Sequence, residues 1–211
     1  ENCGTALAFL TFNDYDNSID GCEFRNCGTG VLDSKGNFYA RNCHFEGSRV
    51  ADFVVGSEHG SSIRRCTSVG SRRFVQETGT IAPLTLQDCH VASWTDPSGA
   101  VQLHGSPVLM FDCAFSNPPS DAAPIRLDNP NQILLLSDNR PAQTANLVQA
   151  APQTKLYLIP SGQRQGVIKS ADQSFLVSEA QTPGKIFDAV RDFGAKGDGQ
   201  TDDTLAVQAA I

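Results

Sequence analysis

The 211 residues predict an all-β solenoid, a parallel β-helix, and three observations carry that prediction. The first is a repeat. Ile19-Asp20-Gly21-Cys22-Glu23-Phe24 returns as Ala40-Arg41-Asn42-Cys43-His44-Phe45, then Ile63-Arg64-Arg65-Cys66-Thr67-Ser68, Leu86-Gln87-Asp88-Cys89-His90-Val91 and Met110-Phe111-Asp112-Cys113-Ala114-Phe115. A decayed copy follows at Leu136-Ser137-Asp138-Asn139-Arg140-Pro141. The pivots Gly21, Asn42, Arg65, Asp88, Asp112 and Asp138 lie 21, 23, 23, 24 and 26 residues apart, a period that marks stacked repeats. The second observation is the spacing within the repeat. Apolar residues two before the pivot and three after it, with Cys one after it, alternate as strands do. The third is the pivot itself, mostly Gly, Asn or Asp, the residues that best tolerate a left-handed bend. Arg65 fits that preference least well.

Two short strands therefore meet at a sharp bend and point their apolar residues inward. A third apolar strip follows each cysteine by about a dozen residues: Val101 and Leu103 after Cys89, Ile125 and Leu127 after Cys113. Val31-Leu32, Phe53-Val54-Val55 and Phe74-Val75 are looser equivalents. Three strands per turn, stacked at the inter-strand spacing of about 4.8 Å, let each coil bury its face against its neighbours.

In chain order, residues 1–17 end an earlier coil, with a strand at Ala6-Leu7-Ala8-Phe9-Leu10 and a loop at 13–17. Asn2-Cys3-Gly4-Thr5 echoes Asn26-Cys27-Gly28-Thr29, so the sequence reads as a piece of a longer protein. The recognisable coils occupy 18–139, and fainter ones follow through Ala145-Asn146-Leu147-Val148 and Lys155-Leu156-Tyr157-Leu158-Ile159. Residues 1–159 are thus assigned to coils. A glycine- and proline-marked linker is expected over 160–184, with strands at Gly166–Ile168 and Ser174–Val177. Within 185–211, Phe187–Phe193 is expected as a strand and Gly194–Gly199 as a turn. A helix opens at Thr201-Asp202-Asp203-Thr204, where Thr201 or Asp202 can cap the free N–H groups and Asp203 suits the positive end of the dipole.

Net charge of −7, with pI near 5.0, gives no electrostatic footprint for nucleic acid. No run of eighteen apolar residues is present to span a bilayer. The seven cysteines lack the close pairs of a zinc site. Cys22, Cys43, Cys66, Cys89 and Cys113 fall in one inward column, where free Cys acts as a small buried hydrophobe. A reduced ladder is expected there, with one or more disulfide bridges as the alternative. Cysteines serving as core say nothing of compartment.

The stretch Asp192-Phe193-Gly194-Ala195-Lys196-Gly197-Asp198-Gly199-Gln200-Thr201-Asp202-Asp203-Thr204, followed by Ala206-Val207-Gln208-Ala209-Ala210-Ile211, closely resembles the opening motif of pectate-lyase-superfamily proteins, the rhamnogalacturonase/epimerase-like right-handed β-helices. The resemblance covers about the last twenty residues. It implies a right-handed, pectin-lyase-like solenoid, in which this strand–turn–helix is the N-terminal cap of a second β-helix. The arrangement resembles the tandem plan of some β-1,3-glucanases. The glycine cluster is not in the dinucleotide-binding order, and Asp198, Asp202 and Asp203 lack the EF-hand spacing, so an architectural role is expected for them.

Superfamily members generally bind polysaccharide along an outward strip of one sheet. Gln102 and His104 alternate with buried Val101 and Leu103, as Arg126 and Asp128 alternate with Ile125 and Leu127. Both pairs are 24 residues apart, which puts Gln102 beside Arg126 and His104 beside Asp128. Gln102 and Arg126 are the candidate substrate-binding residues, suited to sugar hydroxyls or uronate. His104 and Asp128 are the candidate catalytic pair, because a His beside a carboxylate can move a proton. An ordinary solvated sheet face would show the same alternation. Asp88 and Asp112, one coil apart, meet the spacing of glycosidase carboxylates, but their pivot position explains them as turn residues. Glu58-His59-Gly60-Ser61 and His104-Gly105-Ser106 faintly resemble the Gly-His-Gly element of polygalacturonases, without its first Gly and without an Asn-Thr-Asp or Asp-Asp partner in the coils. Glu46, Glu58 and Glu77 are loop carboxylates with no assigned role, and Arg72 and Arg73 fall on a turn.

The resemblance implies a secreted or cell-surface polysaccharide-active protein, with glycoside hydrolysis of a plant, algal or microbial polysaccharide as the leading activity. A non-enzymatic carbohydrate-binding or adhesive fibre and a polysaccharide lyase are the alternatives. The partner is polysaccharide. No metal or other cofactor is expected, calcium entering only with lyase chemistry.

Overall fold

The computed structural model describes residues 1–11, 14–78, 82–119, 123–140, 146–151, 154–159, 168–169, 174–176 and 189–210. They fall into two compact units, 1–177 and 178–211.

The first unit is a right-handed parallel β-solenoid of three sheets. Sheet 1 stacks Thr5–Phe9, Thr29–Asp33, Ala51–Val55, Val75–Glu77, Val101–Leu103, Ile125–Leu127, Val148–Ala150 and Ile168–Lys169. Sheet 2 stacks Asn17–Asp20, Phe38–Arg41, Ser61–Arg64, Leu84–Gln87, Val108–Phe111, Ile133–Ser137, Lys155–Ile159 and Ser174–Leu176. Sheet 3 stacks the three-residue strands Glu23–Arg25, His44–Glu46, Thr67–Val69, His90–Ala92 and Ala114–Ser116. Each strand pairs in parallel with its equivalents one coil away. Most of the segment 160–184 lies outside the described residues; its strands Ile168–Lys169 and Ser174–Leu176 pair with Val148–Ala150 and Lys155–Ile159.

The bend between sheets 2 and 3 is the sequence pivot. Gly21, Asn42, Arg65, Asp88, Asp112 and Asp138 all hold φ between 49° and 63°, and Arg65 takes that conformation despite its side chain. A second left-handed column turns the chain from sheet 3 back toward sheet 1: Asn2, Asn26, Gly47, Gly70, Ser93 and Asn117, φ between 51° and 67°. Two such corners five residues apart leave room for only three extended residues, which is why the sheet 3 strands are so short.

The core is built of columns. Ile19, Ala40, Ile63, Leu86, Met110 and Leu136 stack in register on sheet 2. Val31, Phe53, Val75, Val101 and Ile125 do so on sheet 1, each fully buried. Phe24 lies flat on Phe45 at 4.6 Å. Burying a side chain of this size stabilises the fold by about 1.5–3 kcal/mol, so the columns supply the main driving force. Column packing also fixes small residues: a Cβ on Gly30 would sit 2.6 Å from the Phe45 ring and 2.7 Å from the Asp52 carbonyl.

Cys43, Cys66, Cys89 and Cys113 are buried in the expected inward column, with Cys22 partly exposed at its end. Their thiols donate to backbone carbonyls two residues back, such as Cys43 to Arg41 at 3.2 Å and Cys66 to Arg64 at 3.3 Å. Asn139 ends the column. Its carbonyl oxygen accepts from Cys113 N–H at 2.9 Å, and its amide donates to Met110 O at 2.8 Å, which satisfies backbone groups one coil away.

The second unit differs from the sequence expectation at one point. Ala189–Phe193 is a helix, α1, and not part of a strand; Phe187 and Asp188 lie outside the described residues. Val190 and Phe193 are three apart, which fits a helical turn, and Gly194 at φ +77° ends it by donating to Val190 O at 3.1 Å. The helix α2 spans Thr204–Ala210, and Asp202 caps it by accepting from Thr204 N–H at 3.0 Å. Asp203 accepts from Lys196 and Gly197 N–H, both at 2.8 Å, and Asp198 accepts from Gln200 and Thr201 N–H. These carboxylates are taken up by their own loop, which gives the motif a structural use.

Candidate substrate-binding strip

The outward residues of sheet 1 form a column of side chains one strand spacing apart. Its register runs Leu32, Val54, Gln76, Gln102, Arg126 and Gln149. Gln102 therefore does neighbour Arg126, and the strip is longer than the two residues the sequence singles out. Gln76 and Gln149 extend it on either side, continuing onto the apolar pair Leu32 and Val54. Gln76, Gln102 and Arg126 bring amide and guanidinium groups to half-exposed positions and Gln149 to an exposed one, at intervals of about 4.8 Å. Arg73 Nη1 donates to Gln76 Oε1 at 2.8 Å, which orients that amide.

His104 and Asp128 stand where sheet 1 turns toward sheet 2. Asp128 N–H donates to Leu103 O at 3.3 Å, and Asn129 Nδ2 donates to His104 O at 2.8 Å, so the two turns are stacked. The carboxylate of Asp128 is held by Arg126, whose Nε lies 2.6 Å from Oδ1. That partner lies two residues back, in the strand that Asp128 follows. Among the described residues the His104 ring makes no hydrogen bond or ion pair; the histidine is fixed through its backbone.

The fixing group is Glu77. It is the buried end of a sheet 1 strand, aligned with Val55, and not a loop residue. Its Oε2 accepts from the N–H groups of His104 at 2.6 Å and Gly105 at 2.9 Å, and its Oε1 accepts from Ser106 at 3.1 Å. One carboxylate thus shapes the turn that carries His104. The other sequence carboxylates also have partners: Glu58 pairs with Lys35 at 2.8 Å and Glu46 with Arg25 at 3.6 Å. The His59 ring meets Tyr15 edge-on at 5.0 Å. Asp88 and Asp112 are the left-handed pivots already described.

Three buried aspartates escape a reading of the sequence. Asp33 is fully buried, and burial pushes its carboxyl up to about 6 although Ser57 donates to it. Asp52 is also fully buried and is pushed up to about 7 by loss of water, against the pull of the Ser68, Ser71 and Ser48 hydroxyls. Asp96 pairs with Arg73 at 2.6 Å and Arg72 at 3.0 Å. Burial opposes its charge, but the Ser98 N–H and the two guanidinium groups outweigh that and hold its carboxyl below the usual range. The signal for Asp52 was positional. It stands just before inward Phe53, as Gly30 stands before Val31, and the small Ser68 occupies the sheet 3 site held by Phe45 in the coil before.

Among the described residues no group of three or more His, Cys, Asp or Glu is placed to hold a metal ion, and no helix is long and apolar enough to cross a membrane. No protein-family profile, curated protein or solved structure matches the chain.

Proposed function

We propose that the chain is part of a secreted or cell-surface polysaccharide-active β-helix of the pectate-lyase superfamily, and that the outward strip of sheet 1 holds the glycan. The observation that carries this reading is the unbroken register of Gln76, Gln102, Arg126 and Gln149. Donors repeated at the strand spacing suit an extended polymer whose hydroxyls or carboxylates also repeat. Glycoside hydrolysis is the activity assigned, with His104 and Asp128 as the groups to be tested for proton transfer. Non-catalytic binding is the second reading. The Arg126–Asp128 pair favours it, because a carboxylate already engaged by a guanidinium is a poor base. The same pair weighs against a lyase using Arg126 as base.

The test is a polysaccharide panel assayed for both retention and turnover. Gln102→Ala and Arg126→Ala should weaken retention of the glycan bound by wild type. His104→Ala and Asp128→Asn should abolish turnover while leaving retention largely intact. Retention without turnover in wild type would select the binding reading. Unchanged retention in both Gln102→Ala and Arg126→Ala would remove the strip.

A further inference from the structure

Cys3 and Cys27 do not belong to the inward cysteine column. They follow the left-handed residues Asn2 and Asn26, at the other corner of the coil. Asn2 N–H donates to Arg25 O at 2.9 Å, Gly28 N–H to Cys3 O at 2.8 Å and Thr29 N–H to Gly4 O at 2.7 Å. The two corners are therefore superposed one coil apart, and Thr5 registers with Thr29 directly after them. Arg49 clamps both, donating through Nη1 to Asn26 O at 2.6 Å and through Nη2 to Cys3 O at 3.2 Å. In this frame the sulfurs of Cys3 and Cys27 are 3.0 Å apart.

We propose that Cys3 and Cys27 are the site of an inter-coil disulfide. Adjacent parallel strands sit about 4.8 Å apart, inside the Cα separation that a disulfide spans, so the bond needs a side-chain rotation and no backbone movement. The chemistry is thiol–disulfide exchange with a low-molecular-weight disulfide such as oxidised glutathione. Cys3 is the partly exposed member and meets the reagent; Cys27 is buried. The Cys3 thiolate attacks one glutathione sulfur, forming a mixed disulfide and expelling a glutathione thiolate. The Cys27 thiolate then attacks the Cys3 sulfur and expels the second glutathione. Two protein thiols and one oxidised glutathione become one protein disulfide and two reduced glutathiones. The shared hydrogen bond raises the Cys3 thiol; at Cys27, burial is opposed and outweighed by that same bond and the Cys3 N–H, which lower it. The core column is shielded from this reaction, since Cys43, Cys66, Cys89 and Cys113 are all buried.

The experiment equilibrates the whole chain with oxidised glutathione, blocks remaining thiols, and maps the peptides by mass. The expected result is a Cys3–Cys27 cross-linked peptide, with the buried column fully alkylated once the protein is unfolded. Urea denaturation should show a higher midpoint for the oxidised protein, a shift that reductant reverses in wild type and that Cys27→Ser does not show. Persistent free Cys3 and Cys27, glutathione retained on Cys3 without resolution, or a bridge mapped to Cys22 and Cys43 would each overturn the proposal. The wild-type map decides the matter even if a serine variant fails to fold.

Discussion

Asp52→Asn should make the solenoid more stable at slightly alkaline pH than the wild type, although it removes a native carboxyl. Asp52 has no exposed surface, and Ser71 donates to its Oδ1 at 2.7 Å. Its folded pKa is about 7 against an ordinary value of 3.8. Between those values the folded protein keeps a proton that the unfolded chain has released. The stability is therefore fully present below 3.8, falls as pH rises, and levels off above about 7. A gap of about three units corresponds to about 4 kcal/mol in all, of which roughly 3 kcal/mol falls between pH 5 and pH 8. The Asn variant keeps an acceptor for Ser71 and carries no charge at any pH, so it lacks this slope. Asp33, raised in the same direction, contributes equally to both proteins and cancels in the comparison. The assay is urea denaturation of wild type and variant at pH 5 and pH 8, comparing midpoints at constant m. Equal loss of stability in the two proteins from pH 5 to pH 8 would refute the claim that Asp52 is buried as the neutral acid.

Three further outcomes are expected. Glu77→Gln leaves one acceptor oxygen where two served three backbone N–H groups, so denaturation should show a loss of about 1–3 kcal/mol; no loss would mean that the turn carrying His104 holds its own shape. Arg65→Asn places a residue tolerant of left-handed φ at a bend of +49° and should stabilise by roughly 1 kcal/mol, read from the thermal midpoint. Asp96→Asn leaves the mostly buried Arg73 without its carboxylate and should cost up to about 3 kcal/mol at neutral pH; because the Asp96 carboxyl is held low, this cost should shrink as acid protonates Asp96 in the wild type, which midpoints at pH 3 and pH 7 would register.

The columns were legible because their residues repeat in kind as well as in spacing. Every pivot from Gly21 to Asp138 is left-handed, Arg65 included, and conformational preference read across six copies outweighed the one residue that lacks it. The second corner was harder to see, since Gly47, Gly70 and Ser93 share no motif beyond lying five residues after a pivot. The period drifts from 21 to 26 residues. Away from the pivot, that drift hides which positions face inward, so Glu77 and Asp52 pass for surface carboxylates until strand register aligns them with Val55 and Gly30.

The candidate strip shows the same limit from the other side. Gln102 and Arg126 could be paired from sequence because Val101 and Ile125 flank them identically, 24 residues apart. Asp128 was matched across the coil to His104 by the same rule, yet its carboxylate turns along the strand to Arg126. Residues two apart on a strand lie on one face, and a guanidinium reaches its neighbour there without leaving the backbone that carries it. A solenoid therefore offers each outward charge two partners, one along the strand and one across the stack, and opposite charges at i and i+2 favour the first. His104 is left facing solvent on a turn that Glu77 holds in place, so any proton it exchanges must pass to a substrate or to water before it passes to Asp128.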